Sequence, residues 1–131
     1  MPRHLRVVVA DDSALYRQML LNVLRRIDGV EVVGVAANGR EAVEMVHSLQ
    51  PDALTLDVNM PLLDGIGVLR ELRARGSRAK AIMVSSLTDE GSPATVEALL
   101  EGAFDYLLKP ASLAPHLARE AIQTEIGRAH V

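Results

Sequence analysis

The sequence predicts an α/β domain in which a doubly wound, five-stranded parallel sheet carries helices on both faces, and three observations predict it. Five short apolar or β-branched runs recur along the chain, a segment of helical length separates each from the next, and the runs at 7–10 and 81–84 are apolar at every position. Strict alternation of strand and helix implies parallel strands joined by right-handed crossovers, and a strand buried on both faces has no polar side. At 131 residues the chain can bury the core of one domain without staples.

The first strand is LRVVVA (5–10), and a helix follows from about Ser13 to Arg26. Leu15, Met19, Val23, Leu24 and Ile27 form its expected inward stripe, and Gly29 lies just past its end. The second strand, VEVVGVA (30–36), leads to a helix that opens at NGRE, where Asn38 and Glu41 have capping-box spacing. That helix turns Ala42, Val43, Val46 and Leu49 inward before Pro51 stops it. ALTLD (53–57) is the third strand; the helix after it starts near Asp64, buries Val68, Leu69 and Leu72 and closes at Gly76. KAIMVSS (80–86) is the fourth strand, after which SPATVEALLEG supplies Ser92 as N-cap, Pro93 as first helical residue and Gly102 as stop. FDYLL (104–108) is the fifth strand, and a last helix beyond KPAS turns Leu113, Leu117, Ala121 and Ile122 inward. The simplest sheet for this order of elements is the flavodoxin-like (βα)5 arrangement, with strand order 2-1-3-4-5.

Composition narrows the function. A net charge of −3, with two Tyr, one Phe and no Trp, provides neither the basic stripe nor the stacking aromatics of a nucleic-acid surface. The absence of cysteine removes disulfide frameworks and thiolate metal sites and suits a reducing cytosol. The apolar run near the N-terminus is too short for a signal core, and no segment approaches the length of a membrane span. The expectation is a soluble cytoplasmic protein with no membrane insertion and no nucleic-acid partner.

The acids carry the chemistry. Ligands of an open α/β sheet bind beyond the carboxyl ends of the strands, where the winding reverses between the first and third. The first strand ends in Asp11 and Asp12 and the third in Asp57, so three carboxylates converge there. A single Asp at a strand end is as often a helix N-cap or turn former. Three together disfavour one another's ionisation unless a cation joins them, and Mg2+ with oxygen ligands answers that need. Ser85 and Ser86 end the fourth strand, and Lys109 sits at the tip of the fifth before Pro110. Lys109 alone reads as a structural counter-ion. With a hydroxyl and a metal beside it, the group makes a phosphoryl site with a carboxylate to attack.

VVVADDSALYRQML (7–20), LTLDVNMPLLDGIGVLREL (54–72), IMVSSLT (82–88) and GAFDYLLKP (102–110) resemble, in order and spacing, the receiver domain of two-component response regulators. The likeness covers residues 5 to about 122. It implies that Asp57 is the phosphoacceptor for a phosphohistidine on a sensor kinase. It implies a Mg2+ site formed by Asp11, Asp12, Asp57 and the backbone carbonyl of Asn59. It also implies that Ser85 hydrogen-bonds the phosphoryl group, that Lys109 pairs with it, and that Tyr106 is the switch aromatic that turns inward when Ser85 is drawn away. The new charge attracts Lys109 and Ser85 and biases a bistable surface. The output surface would then be the face of the fourth helix, fifth strand and fifth helix.

Within this family the chain is most similar to receivers that precede chemotaxis protein-glutamate methylesterase domains, through DDSALYRQML, VEVVGVAANGREAVE, LTLDVNMP and MVSSLTDEG. That likeness implies a CheA-like sensor histidine kinase as donor and a C-terminal output domain or partner protein as target. Two positions depart from it: Asn59 stands where such receivers often have an acid, and Tyr106 where they often have Phe. A methylesterase would need a catalytic Ser, His and Asp on a glycine-rich turn, and His4, His47, His116 and His130 are scattered without triad spacing, so this chain alone is expected to lack esterase activity.

EIGRAHV (125–131) has no counterpart in the receiver pattern. It can be encoded by GAG ATC GGA AGA GCA CAC GTC, a short-read sequencing adapter whose next triplet is a stop; otherwise it is an ordinary helix end broken at Gly127. On the first reading, residues 1–124 are the receiver domain and 125–131 a non-native end of a truncated chain. Three rivals remain. A dehalogenase-type, Mg2+-dependent phosphatase also uses a strand-end Asp but wants a second Asp at position 59. A flavin-mononucleotide binder would need a phosphate cradle where Asp11 and Asp12 would repel it. A stand-alone or DNA-binding-type regulator shares every phosphorylation residue.

Overall fold

Val7, Val8, Val9 and Ala10 are all buried, as a strand covered on both faces requires, and they set β1 (Leu5–Ala10) inside the sheet. The computed structural model describes residues 4–58, 60–85, 102–103, 105–108 and 124, and for Ser85 and 105–108 the backbone alone. After β1 come α1 (Ala14–Leu24), β2 (Val30–Ala36), α2 (Gly39–Leu49), β3 (Ala53–Asp57), α3 (Gly65–Ala74), β4 (Lys80–Ser85) and β5 (Asp105–Leu108). The predicted helices after β4 and after β5 lie outside the described residues, as do Asn59, Ser86, Phe104, Lys109 and the segment 125–131.

All strand pairings are parallel and the order is β2-β1-β3-β4-β5, the predicted arrangement. Alternate side chains of a strand point to opposite faces. On one face Val8, Ala10, Leu54, Leu56 and Met83 pack with Val43 and Val46 of α2 and Val68 and Leu72 of α3. On the other Val7, Val9, Ala53, Ile82 and Val84 pack with Leu20, Leu21, Leu24 and Ile27. Asp57, two residues beyond Thr55 and four beyond Ala53, continues the second face.

Local chemistry sets the helix ends. Asn38 Oδ1 accepts from the Glu41 amide at 2.9 Å, while Glu41 Oε2 accepts from the Ala37 amide at 2.7 Å, a capping box that reaches one residue further back. Asp64 caps α3 by accepting from the Gly67 amide at 2.8 Å. Gln50, left-handed at φ 49°, ends α2 ahead of Pro51, and Arg6 Nη1 closes that end by donating to the carbonyls of Leu49 at 2.8 Å and Gln50 at 3.0 Å. No helix among the described residues is long and apolar enough to cross a membrane.

α1 corrects one expectation. Leu15 is 66% exposed instead of inward, and the buried set is Leu20, Leu21, Leu24 and Ile27, with Met19 and Val23 half-buried. Apolar residues surround this helix, so more than one stripe fits its sequence. The phase that packs Leu20, Leu21, Leu24 and Ile27 on the sheet also lets Arg17 reach back to β1, where its Nη1 donates to the Asp11 carbonyl at 2.7 Å.

Candidate functional site

The winding reverses between the neighbours β1 and β3, whose register sets Ala10 opposite Leu56. The next residue on each strand is therefore an acid, and Asp11 and Asp57 stand side by side at the carboxyl edge, where an open α/β sheet binds its ligands. Both are buried, Asp11 at 0% and Asp57 at 3% exposure, while Asp12 is exposed at the rim. One carboxylate oxygen of each of the three lies within 4.8 Å of the others. None of these acids is a helix cap, because Ser13 caps α1, accepting from the Tyr16 amide at 3.4 Å, and Asp64 caps α3.

The exit from β1 is short and held by side chains. The Asp11 amide extends the ladder by donating to the Ala36 carbonyl at 3.1 Å, and Asp11 Oδ1 accepts from the Ser13 amide at 2.8 Å. Arg17 grips the Asp11 carbonyl from α1. Sequence reasoning missed Arg17; its one signal is a charged residue one turn past the cap Ser13 on the sheet-facing side of α1.

The exit from β3 is longer. Val58 and Met60 are buried, the Leu63 amide donates to the Pro61 carbonyl at 2.8 Å across Leu62, and the Gly65 amide donates back to the Val58 carbonyl at 3.0 Å. Leu62, at φ 69°, thus sits at the centre of a γ-turn of the rare, strained hand. Asn59, between Val58 and Met60, lies outside the described residues.

β4 and β5 bring further predicted residues to this edge. Asp57 pairs with Val84, and Ser85, one step beyond, pairs with Leu108. Tyr106 pairs with Met83, below the rim, and Lys109 follows Leu108 just outside the described residues.

The donor set fits a hard divalent cation. All three groups offer carboxylate oxygen, and two oxygens on opposite sides of Mg2+ lie about 4.2 Å apart, so their spread needs little closure to meet one ion. A carboxylate held between such an ion and a cation is also a competent nucleophile for phosphorus.

The model of the response regulator receiver domain family matches residues 7–121. A protein-glutamate methylesterase/protein-glutamine glutaminase of Desulfotalea psychrophila is 41% identical over 124 residues, 95% of this chain and 34% of the relative. The chain thus spans about a third of the length of such curated relatives. The response regulator domain of Thermotoga maritima CheB superposes with a TM-score of 0.86 at 39% identity, covering 97% of this chain and 96% of that one. A chain of the CheX–CheY–BeF3–Mg2+ complex of Borrelia burgdorferi superposes with a TM-score of 0.80 at 29% identity, over 96% and 89% of the two chains.

Proposed function

The chain belongs to the response regulator receiver domain family, and we propose that it accepts a phosphoryl group on Asp57 from a phosphohistidine of a CheA-like sensor histidine kinase. The observation that carries this reading is the convergence of Asp11, Asp12 and Asp57 at the reversal point of the sheet. A carboxylate oxygen of Asp57 attacks phosphorus, the P–N bond breaks, and its electron pair leaves with the imidazole. Asp11, Asp12 and Asp57, with the backbone carbonyl of Asn59, would hold Mg2+, which would neutralise charge on the phosphoryl oxygens. The likeness to a chain of the Borrelia complex, whose name includes both BeF3 and Mg2+, supports a Mg2+-dependent reading.

Burial of Asp57 excludes bulk water from the nucleophile, and the Ser13 amide and Arg17 keep Asp11 aimed at the cleft. Lys109 pairs with the new charge and Ser85 donates its hydroxyl to it. Tyr106 then follows Ser85 inward and alters the face of β5 and its flanking helices. The likeness to methylesterase receivers supports a regulatory domain, residues 1–124, that controls a C-terminal protein-glutamate methylesterase in cytoplasmic chemotaxis.

Acetyl phosphate with Mg2+ phosphorylates the wild-type chain once on this reading, and Asp57→Asn incorporates none. Stoichiometric labelling of Asp57→Asn at the wild-type rate would reject Asp57 as the acceptor.

A further inference from the structure

We propose that Gly39, the first residue of α2, is a positioning residue that holds the β3–α3 loop where its backbone serves the cation. The inference rests on the Mg2+ site described above and adds a member that touches neither metal nor phosphate. A Cβ at position 39 would lie 1.9 Å from the carbonyl oxygen of Leu63, 2.7 Å from its carbonyl carbon and 2.8 Å from its Cβ. Real Cβ atoms essentially never approach within 3.0 Å, and two of these neighbours are backbone, so no rotamer relieves the contact. Gly39 does not have a positive φ, unlike Gly29 at +82°, so glycine stands there for space and not for conformation.

Neither side of the contact can give way cheaply. α2 is anchored by its capping box and by buried Ala42, Val43 and Val46. The far end of the loop is anchored by the Gly65–Val58 bond, by the Asp64 cap and by Gly65 itself, where a Cβ would lie 2.7 Å from the Asp57 carbonyl oxygen. A methyl at position 39 must therefore displace Leu63 and the turn it closes with Pro61. That turn belongs to the loop whose proposed cation ligand is the Asn59 carbonyl. Leu62 at φ 69° is the mark of this constraint, because a strained residue persists only where its surroundings over-determine it.

The test is a Mg2+ titration, followed by amide chemical shifts, of wild type, Gly39→Ala and Gly29→Ala. Gly29 has open space around its missing Cβ but a positive φ, so its substitution destabilises the chain without touching the loop. Gly39→Ala should bind Mg2+ at least about tenfold more weakly, the usual cost of losing an outer-shell support. It should also speed exchange of the Gly65 amide in metal-free protein, while Gly29→Ala lowers Tm and keeps wild-type affinity. Affinity of Gly39→Ala indistinguishable from wild type would overturn the inference alone, as would an equal loss in Gly29→Ala. A wild type that ignores Mg2+ would instead remove the cation site and this inference with it. Should Gly39→Ala fail to fold, Gly39→Ala/Leu62→Gly, whose turn can yield, should fold with weakened Mg2+ binding; its failure to fold would also overturn the proposal.

Discussion

β1 and β3 deliver acids to the same point by unlike means. β1 passes from Asp11 and Asp12 straight into the cap Ser13, and its exit is secured by side chains: the Asp11 carboxylate on the Ser13 amide and the Arg17 guanidinium on the Asp11 carbonyl. β3 passes through residues 58–64, and its exit is secured by backbone packed against missing side chains at Gly39 and Gly65. Only the second carries a strained residue, Leu62. A long side chain can be shortened or discharged by degrees, whereas a carbonyl oxygen against a Cα tolerates no added atom. Of the two exits, the one that follows the proposed nucleophile is thus the less forgiving.

After Gly39, substitution at Gly65 should break the comparison hardest. In Gly65→Ala the new methyl meets the Asp57 carbonyl oxygen at 2.7 Å, Met83 Cε at 2.9 Å and Val58 Cα at 3.0 Å. Overpacking of this kind costs about 2–3 kcal/mol, read as a fall in the urea midpoint at constant m. A variant as stable as wild type would show that the β3 exit yields as easily as the β1 exit.

Arg17→Met keeps the aliphatic stem and removes the donor to the Asp11 carbonyl, with an expected cost of about 1–2 kcal/mol. The same denaturation experiment measures it, and a cost above that of Gly65→Ala would invert the ranking of the exits. The smallest effect has the opposite sign. Leu62→Gly releases the left-handed strain and loses little burial, since Leu62 is 78% exposed, so a net gain of about 0.5–1 kcal/mol is expected after the entropy that glycine adds to the unfolded chain. Unchanged or lower stability would mean that the turn at Leu62 stores no strain.

Much of this architecture is legible in the chain because its signals are local. Asn38 with Glu41, Pro51, Asp64 and Gly76 act within one turn of where they stand, so the starts and stops of α2 and α3 are where their sequence marks them. The consecutive apolar residues of β1 and β4 report burial on both faces directly. The acid cluster is legible for a related reason: the parallel direction of β1 and β3 brings Asp11, Asp12 and Asp57 to one edge, and the reversal of winding makes those two strands neighbours.

The phase of α1 is not legible, because a helix with apolar residues on several sides is oriented by what it meets, and packing Leu20, Leu21 and Leu24 on the sheet leaves Leu15 in solvent. Gly39 stands in sequence only as the residue after a cap, and nothing in the sequence marks Leu62. The sequence by itself determined the order of the described strands and helices and the edge on which the acids stand, since both depend on periodicity or on spacing along the chain; the family came from the resemblance of its motifs. Tertiary structure alone decided which backbone atoms meet across that edge. The contact of Gly39 with Leu63 joins elements whose separation in sequence carries no pattern, and only packing at van der Waals distance makes the lack of one methyl matter.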